Sequence, residues 1–203
     1  MQEQSWFDFI HHYVDKEIAQ QQVFSIIQGR TNKDTLSFLF QKEPNDTETA
    51  FYADVKEKLY RKLCLSRMNE FKLAPGAERL LNSIREKNIA LTIATASQKP
   101  NVDFFIEHLE LDRWFDPDKI ICDDGTFPGK PAPDIYLRAS AMIGIKPQNC
   151  IVFEDSKVGM EAAKKACIGK IICVNSSKLI FQQSTQDIIN SFSEINLDGL
   201  LSS

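Results

Sequence analysis

The sequence predicts an α/β fold in two parts: an all-helical domain over residues 1–73, then, over 74–203, a three-layer, doubly wound parallel sheet with helices on its faces. Three observations predict it. The first seventy residues carry apolar side chains at three- and four-residue steps and no convincing strand. From Pro75-Gly76 onward, short apolar runs alternate with amphipathic stretches, as in a parallel sheet buried on both faces. Polar groups gather where those runs end, which is where open parallel sheets collect ligands.

The elements follow in order. Residues 5–28 read as helix, with Trp6, Phe9, Ile10, Tyr13 and Val14, then Val23, Ile26 and Ile27, on its apolar face. Gly29-Arg30-Thr31-Asn32 breaks that pattern, and Thr31 or Asn32 can cap a helix that buries Leu36, Leu39 and Phe40. Pro44-Asn45-Asp46 is a turn, with Asp46 or Thr47 as the cap of a helix to about Phe71 along Phe51, Val55, Leu59 and Leu63. In the second part the predicted helices span about 77–87, 100–109, 135–143, 159–167 and 185–192. The predicted strands span 89–94, 119–122, 150–153 and 170–174.

Composition bounds the function. The 203 residues carry a net charge of −4 with no basic block, which argues against nucleic acid or an anionic membrane as partner. No apolar run reaches membrane-spanning length and the start lacks signal-peptide features, so a cytoplasmic protein is expected. The five cysteines lack CxxC spacing, and reduced core thiols are expected. His11, His12 and His108 have no partner at metal-ligand spacing and read as surface residues.

Three strand ends carry the chemistry. Thr95 follows the first apolar run and either caps the next helix or faces a ligand; Ser97 has the same choice. Lys130 stands between Gly129, which permits close approach, and Pro131 and Pro133, which stiffen the backbone at a helix start. A cation at a helix N-terminus favours an anion. Glu154 and Asp155 end a buried strand; adjacent carboxylates repel unless a cation lies near, and oxygen ligands of this kind suit Mg2+ with waters and a substrate phosphate. Asp123-Asp124-Gly125-Thr126 reads as a solvated turn.

Three segments, Ile93-Ala94-Thr95-Ala96-Ser97, Gly129-Lys130-Pro131-Ala132-Pro133-Asp134-Ile135-Tyr136 and Val152-Phe153-Glu154-Asp155-Ser156 with Gly159 behind it, carry a resemblance. Residues 74–174 resemble the haloacid dehalogenase superfamily, in the branch that holds beta-phosphoglucomutase and related sugar-phosphate phosphatases. The resemblance implies a Rossmann-like core and makes residues 1–73 that branch's helical cap. It also implies that Thr95 hydrogen-bonds a transferring phosphoryl group, Lys130 holds its charge, and Glu154 and Asp155 hold Mg2+. Gly29, Arg30, Thr31, Asn32 and Asp34, with Ser97 and Asn101, would line the substrate side. Cys167 stands where the family usually has glycine.

The family's nucleophile, an Asp-x-Asp on the first core strand ahead of the cap, has no counterpart, because no apolar strand precedes Trp6. In the family that strand lies between those ending at Thr95 and Glu154. Its loss would open a gap of roughly 9–10 Å and leave backbone groups unpaired at about 1–3 kcal/mol each. Truncation, closure of the gap, or filling by the tail after Lys178 are the open outcomes, with truncation expected. The implied activity is a Mg2+-dependent phosphatase of a sugar phosphate or nucleotide working through an aspartyl-phosphate, the 203-residue chain itself being inactive. The alternatives are a beta-phosphoglucomutase-type phosphomutase, disfavoured by Asn32 where the mutase has arginine, and a catalytically dead phosphate-binding or regulatory protein.

Overall fold

The computed structural model describes residues 1–15, 17–27, 32–175 and 187–202. The chain divides into two compact units, Met1–Lys72 and Leu73–Ser203.

The first unit is helical: α1 (Gln2–Tyr13), α2 (Gln20–Ile27), α3 (Asn32–Phe40) and α4 (Asp46–Ser66). Trp6, Phe9 and Ile10 of α1 pack with Val23 and Ile26 of α2 and with Leu36 and Leu39 of α3. The helix expected over 5–28 is therefore two, α1 ending at Tyr13 and α2 beginning at Gln20. The cap of α4 is Asn45, rather than Asp46 or Thr47. Its Oδ1 accepts from Glu48 N at 2.8 Å, and Glu48 Oε2 accepts from Asn45 N at 3.0 Å, a reciprocal capping box. α4 ends at Ser66, and Phe51 is 57% exposed while Val55 and Leu59 pack on the core. Side chains four apart precess about 40° per step, so Phe51 to Leu63 cannot all share one face.

The second unit runs α5 (Ala77–Glu86), β1 (Ala94–Gln98), α6 (Lys99–Leu109), β2 (Ile121–Asp123), α7 (Asp134–Met142), β3 (Ile151–Glu154), α8 (Lys157–Lys165), β4 (Lys170–Val174), β5 (Asp187–Ile189) and α9 (Leu197–Leu201). All strand pairings are parallel, as expected. Alternation along β3 serves both faces. Val152 packs towards α7 and α8 with Ala162 and Ala163, and Phe153 packs towards Ile172, Ile189 and Phe192. The helix expected over 185–192 is absent from its described part, which holds β5. Asp187-Ile188-Ile189 pairs with β4, where β-branched side chains suit a pleated surface.

The single sheet expected from the sequence is divided. Among the described residues, β1 pairs only with β2, and β3-β4-β5 form a separate sheet. Between them lies a cavity of about 580 Å3, walled by residues 89–94 and by 150–153, with α5 and α7 on its two faces. The strand expected at 89–94 starts only at Ala94 and runs past Thr95 to Gln98. Residues 89–93 line the cavity; the Ile93 carbonyl accepts from Ile121 N of β2 at 2.9 Å, while Ala90 and Leu91 make no backbone hydrogen bond among the described residues.

Candidate functional site

Glu154, the last residue of β3, is the hub of the site. Its Oε2 accepts from Lys130 Nζ at 2.7 Å and from Tyr136 Oη at 2.5 Å. Its Oε1 accepts from Ser156 N at 3.0 Å and Ser156 Oγ at 2.6 Å. Each donor is placed by local structure. Tyr136 lies in the first turn of α7, which the prolines before it introduce, with Pro133 as N-cap. Ser156 caps α8, accepting from Gly159 N at 3.0 Å while its own hydroxyl turns to Glu154. Gly159 has to be glycine: a Cβ there would overlap the carboxyl carbon and both oxygens of Glu154.

The electrostatics follow from this packing. Burial works to raise the Glu154 pKa, but the Lys130 charge and the hydrogen bonds from Lys130, Ser156 and Tyr136 outweigh it and hold the carboxyl below its ordinary range. Lys130 also lies 5.0 Å from the centroid of the Tyr136 ring, over its face. Burial first and the Glu154 charge second push the Tyr136 phenol up, so it stays a donor. Asp155 goes the other way. Its residue keeps solvent access, yet partial desolvation and then the Glu154 carboxylate raise its pKa.

That contrast tests the pair against a divalent cation. Among the described residues no cluster of three His, Cys, Asp or Glu side chains forms a ready-made metal cage. Mg2+ commonly takes only one or two carboxylates and completes its shell with waters and substrate phosphate. Asp155 fits that part, because its carboxylate carries repulsion that a cation would relieve. Glu154 is already saturated by four donors and contributes its charge from beside the site.

The other residues singled out by sequence are distributed as follows. Thr95 stands in β1, in the other sheet; its Oγ1 accepts from Ser97 N at 3.1 Å, and its own proton has no acceptor among the described residues. Ser97 is half-buried in the same strand, and Asn101 is buried on α6. Asn32 and Asp34 lie in the first turn of α3, in the first unit. Gly29, Arg30 and Thr31 lie outside the described residues. Asp123 and Asp124 form the expected turn, accepting from Gly125 N and Thr126 N at 3.1 and 2.8 Å, with Gly125 at φ +73. Tyr136 and Ser156 were missed as partners of Glu154. Ser156 was legible as an Ser-x-x-Gly cap, while Tyr136 carried only the signal of a polar aromatic on a buried helix face.

A family model described as haloacid dehalogenase-like hydrolase matches residues 2–173. The chain belongs to that family. A phosphorylated carbohydrates phosphatase of Thermotoga maritima is 31% identical over 131 residues, 60% of each chain. A probable pseudouridine-5'-phosphatase of Drosophila melanogaster is 39% identical over 105 residues, 49% of this chain and 45% of its own. The beta-phosphoglucomutase of Bacillus subtilis is 32% identical over 120 residues, 56% of this chain and 51% of its own. The chain thus spans about half the length of these curated relatives. Among solved structures, a family IA, variant 3 hydrolase from Entamoeba histolytica superposes with a TM-score of 0.90 at 35% identity, covering 99% of this chain and 90% of that one. No helix among the described residues is long and apolar enough to cross a membrane.

Proposed function

We propose that the site takes the phosphoryl group of a small phosphorylated metabolite, a sugar phosphate or a nucleotide, in a phosphatase reaction assisted by Mg2+. The observation that carries this reading is the enclosed Lys130–Glu154 pair at the end of β3, with Asp155 next to it in the chain. Lys130 would neutralise charge on the phosphoryl oxygens, positioned by Glu154 and kept over the Tyr136 ring. Thr95 would donate its hydroxyl proton to the same group, one of its two lone pairs accepting from Ser97 N. Asp155 would hold Mg2+ with Glu154 beside it, and the ion supplies positive charge to the transferring group. Asn101 and Ser97 are proposed on the substrate side.

The family's covalent step, attack of an aspartate on phosphorus with loss of the alcohol and later hydrolysis of the aspartyl-phosphate, needs a carboxylate between β1 and β3. No described residue offers one there. These 203 residues are therefore proposed to bind phosphate without turning substrate over. The relatives include both named phosphatases and a beta-phosphoglucomutase; hydrolysis is preferred on Asn32, at the start of α3, where the resemblance implies that a mutase carries arginine.

Phosphate release from a panel of sugar phosphates and nucleotides tests this. The chain alone is expected to be inactive. A fusion that places a relative's Asp-x-Asp strand ahead of Met1 is expected to release phosphate in Mg2+ and to lose that activity with Lys130→Ala. Turnover by the chain alone that Lys130→Ala abolishes would overturn the inactivity, and a silent fusion that binds no phosphate would overturn the phosphatase reading.

A further inference from the structure

We infer that Asn175, at the carboxyl end of β4, is a positioning residue for the hydrated cation: its side-chain carbonyl accepts from a water on the ion that Asp155 holds. This role rests on the phosphatase reading and deepens it, since it adds to the cation half of that site.

Asn175 Oδ1 is buried and accepts no hydrogen bond among the described residues. The rest of Asn175 is tied down. Its backbone N donates to Ile189 O at 2.7 Å, and its Nδ2 donates to Asn190 Oδ1 at 3.3 Å. Asn190 is held in turn, its N donating to Glu194 Oε1 at 2.9 Å. One end of the amide is therefore anchored and the other is left over. A buried carbonyl oxygen that has given up water costs free energy until a donor meets it.

The position of that oxygen points to the cation. β3 and β4 are parallel, with Glu154 beside Cys173. Asp155 and Asn175 thus leave the same, carboxyl end of two neighbouring strands, where open parallel sheets collect ligands. Cys173 and Asn175 are two residues apart, so strand alternation puts them on one face. The Asp155 charge is felt on that face: burial first, then Asp155 and Glu154, push the Cys173 thiol up.

The chemistry of the oxygen points the same way. A side-chain carbonyl can only accept. The oxygens of an ionised phosphate also only accept, so Asn175 Oδ1 offers that group nothing. Mg2+ dehydrates reluctantly and keeps several waters, and each is a donor strengthened by the charge of the ion. Glu154 is already saturated by four donors. Acceptors behind the direct ligands orient such waters, and losing one typically weakens metal binding by roughly 10–100-fold.

The test titrates the full chain with Mn2+, a cation of the same oxygen-ligand class, and reads free Mn2+ by electron paramagnetic resonance. The parent chain is expected to bind, and Asp155→Asn to bind far more weakly. Asn175→Leu keeps the volume without an acceptor and is expected to weaken binding by about tenfold. Asn175→Asp restores an acceptor and is expected to bind at least as tightly as the parent, which a purely structural role would not give. Asn190→Ala releases the amide from an exposed position and is expected to weaken binding by less. Failure of the parent to bind, or binding that Asp155→Asn leaves unchanged, overturns the phosphatase reading and this role with it. Binding that Asp155→Asn removes and Asn175→Leu leaves intact overturns the role of Asn175 alone, as does an Asn175→Asp chain that binds as weakly as Asn175→Leu. Should Asn175→Leu not fold, unchanged binding in Asn190→Ala overturns it.

Discussion

The ammonium of Lys130 lies 2.7 Å from Oε2 of Glu154, with 12% and 8% of the two side chains exposed. An enclosed pair of this kind is costly to break from one side, because the remaining charge is stranded. Lys130→Met and Glu154→Gln are each expected to lower stability by about 3–5 kcal/mol. The double variant is expected to lose less than the sum of the two, because it strands neither charge. Urea unfolding of the four proteins measures this, and strictly additive losses would mean that the two groups do not interact.

Gly159 defines the room available to Glu154. In Gly159→Ala the new methyl overlaps the carboxyl group, so the carboxylate must leave its four donors. A loss of about 1–3 kcal/mol is expected from overpacking. Phosphate affinity should fall in parallel, because Lys130 loses its anchor. Calorimetric titration with inorganic phosphate checks the second effect independently of stability.

Cys167 adopts φ +57, in the left-handed region. A side chain there costs roughly 1–2 kcal/mol, which glycine avoids at some cost in chain entropy. Cys167→Gly is expected to raise stability by up to about 1 kcal/mol, read as a higher urea midpoint at unchanged slope.

Asp155 is penalised for being ionised, by partial desolvation and then by Glu154. A carboxyl whose pKa is raised on folding lowers stability at pH values above the ordinary aspartate range, where the folded state must still ionise it. Asp155→Asn is therefore expected to raise the melting temperature slightly at neutral pH in EDTA, the gain being small because solvent screens the group. The gain should vanish in acid, below the ordinary aspartate range, where both states are protonated. With Mg2+ and phosphate present the order should reverse, because only the native side chain holds the ion.

Much of this arrangement was legible in the sequence. Apolar runs placed β2, β3 and β4 to within two residues, and the lysine and acidic segments foretold that Lys130 and the strand end at Glu154 belong together. What was not legible depends on neighbours in space. Residues 89–92 have the composition of a buried strand, yet strand structure requires a partner edge, and there they line a cavity, the pairing with β2 starting only at Ile93. Asp187 to Ile189 read as helix because their environment, the edge of β4, lies far away in sequence. Tyr136 could be placed on α7 by periodicity, but its bond to Glu154 depends on how α7 crosses the end of β3.

Calorimetric titration of the chain with inorganic phosphate, with and without Mg2+, tests the central proposal most directly. Phosphate should bind, Mg2+ should tighten it, Lys130→Ala should abolish it, and Asp155→Asn should remove the Mg2+ effect alone. Absence of binding, or binding that survives Lys130→Ala unchanged, would contradict a phosphate site built on Lys130, Glu154 and Asp155.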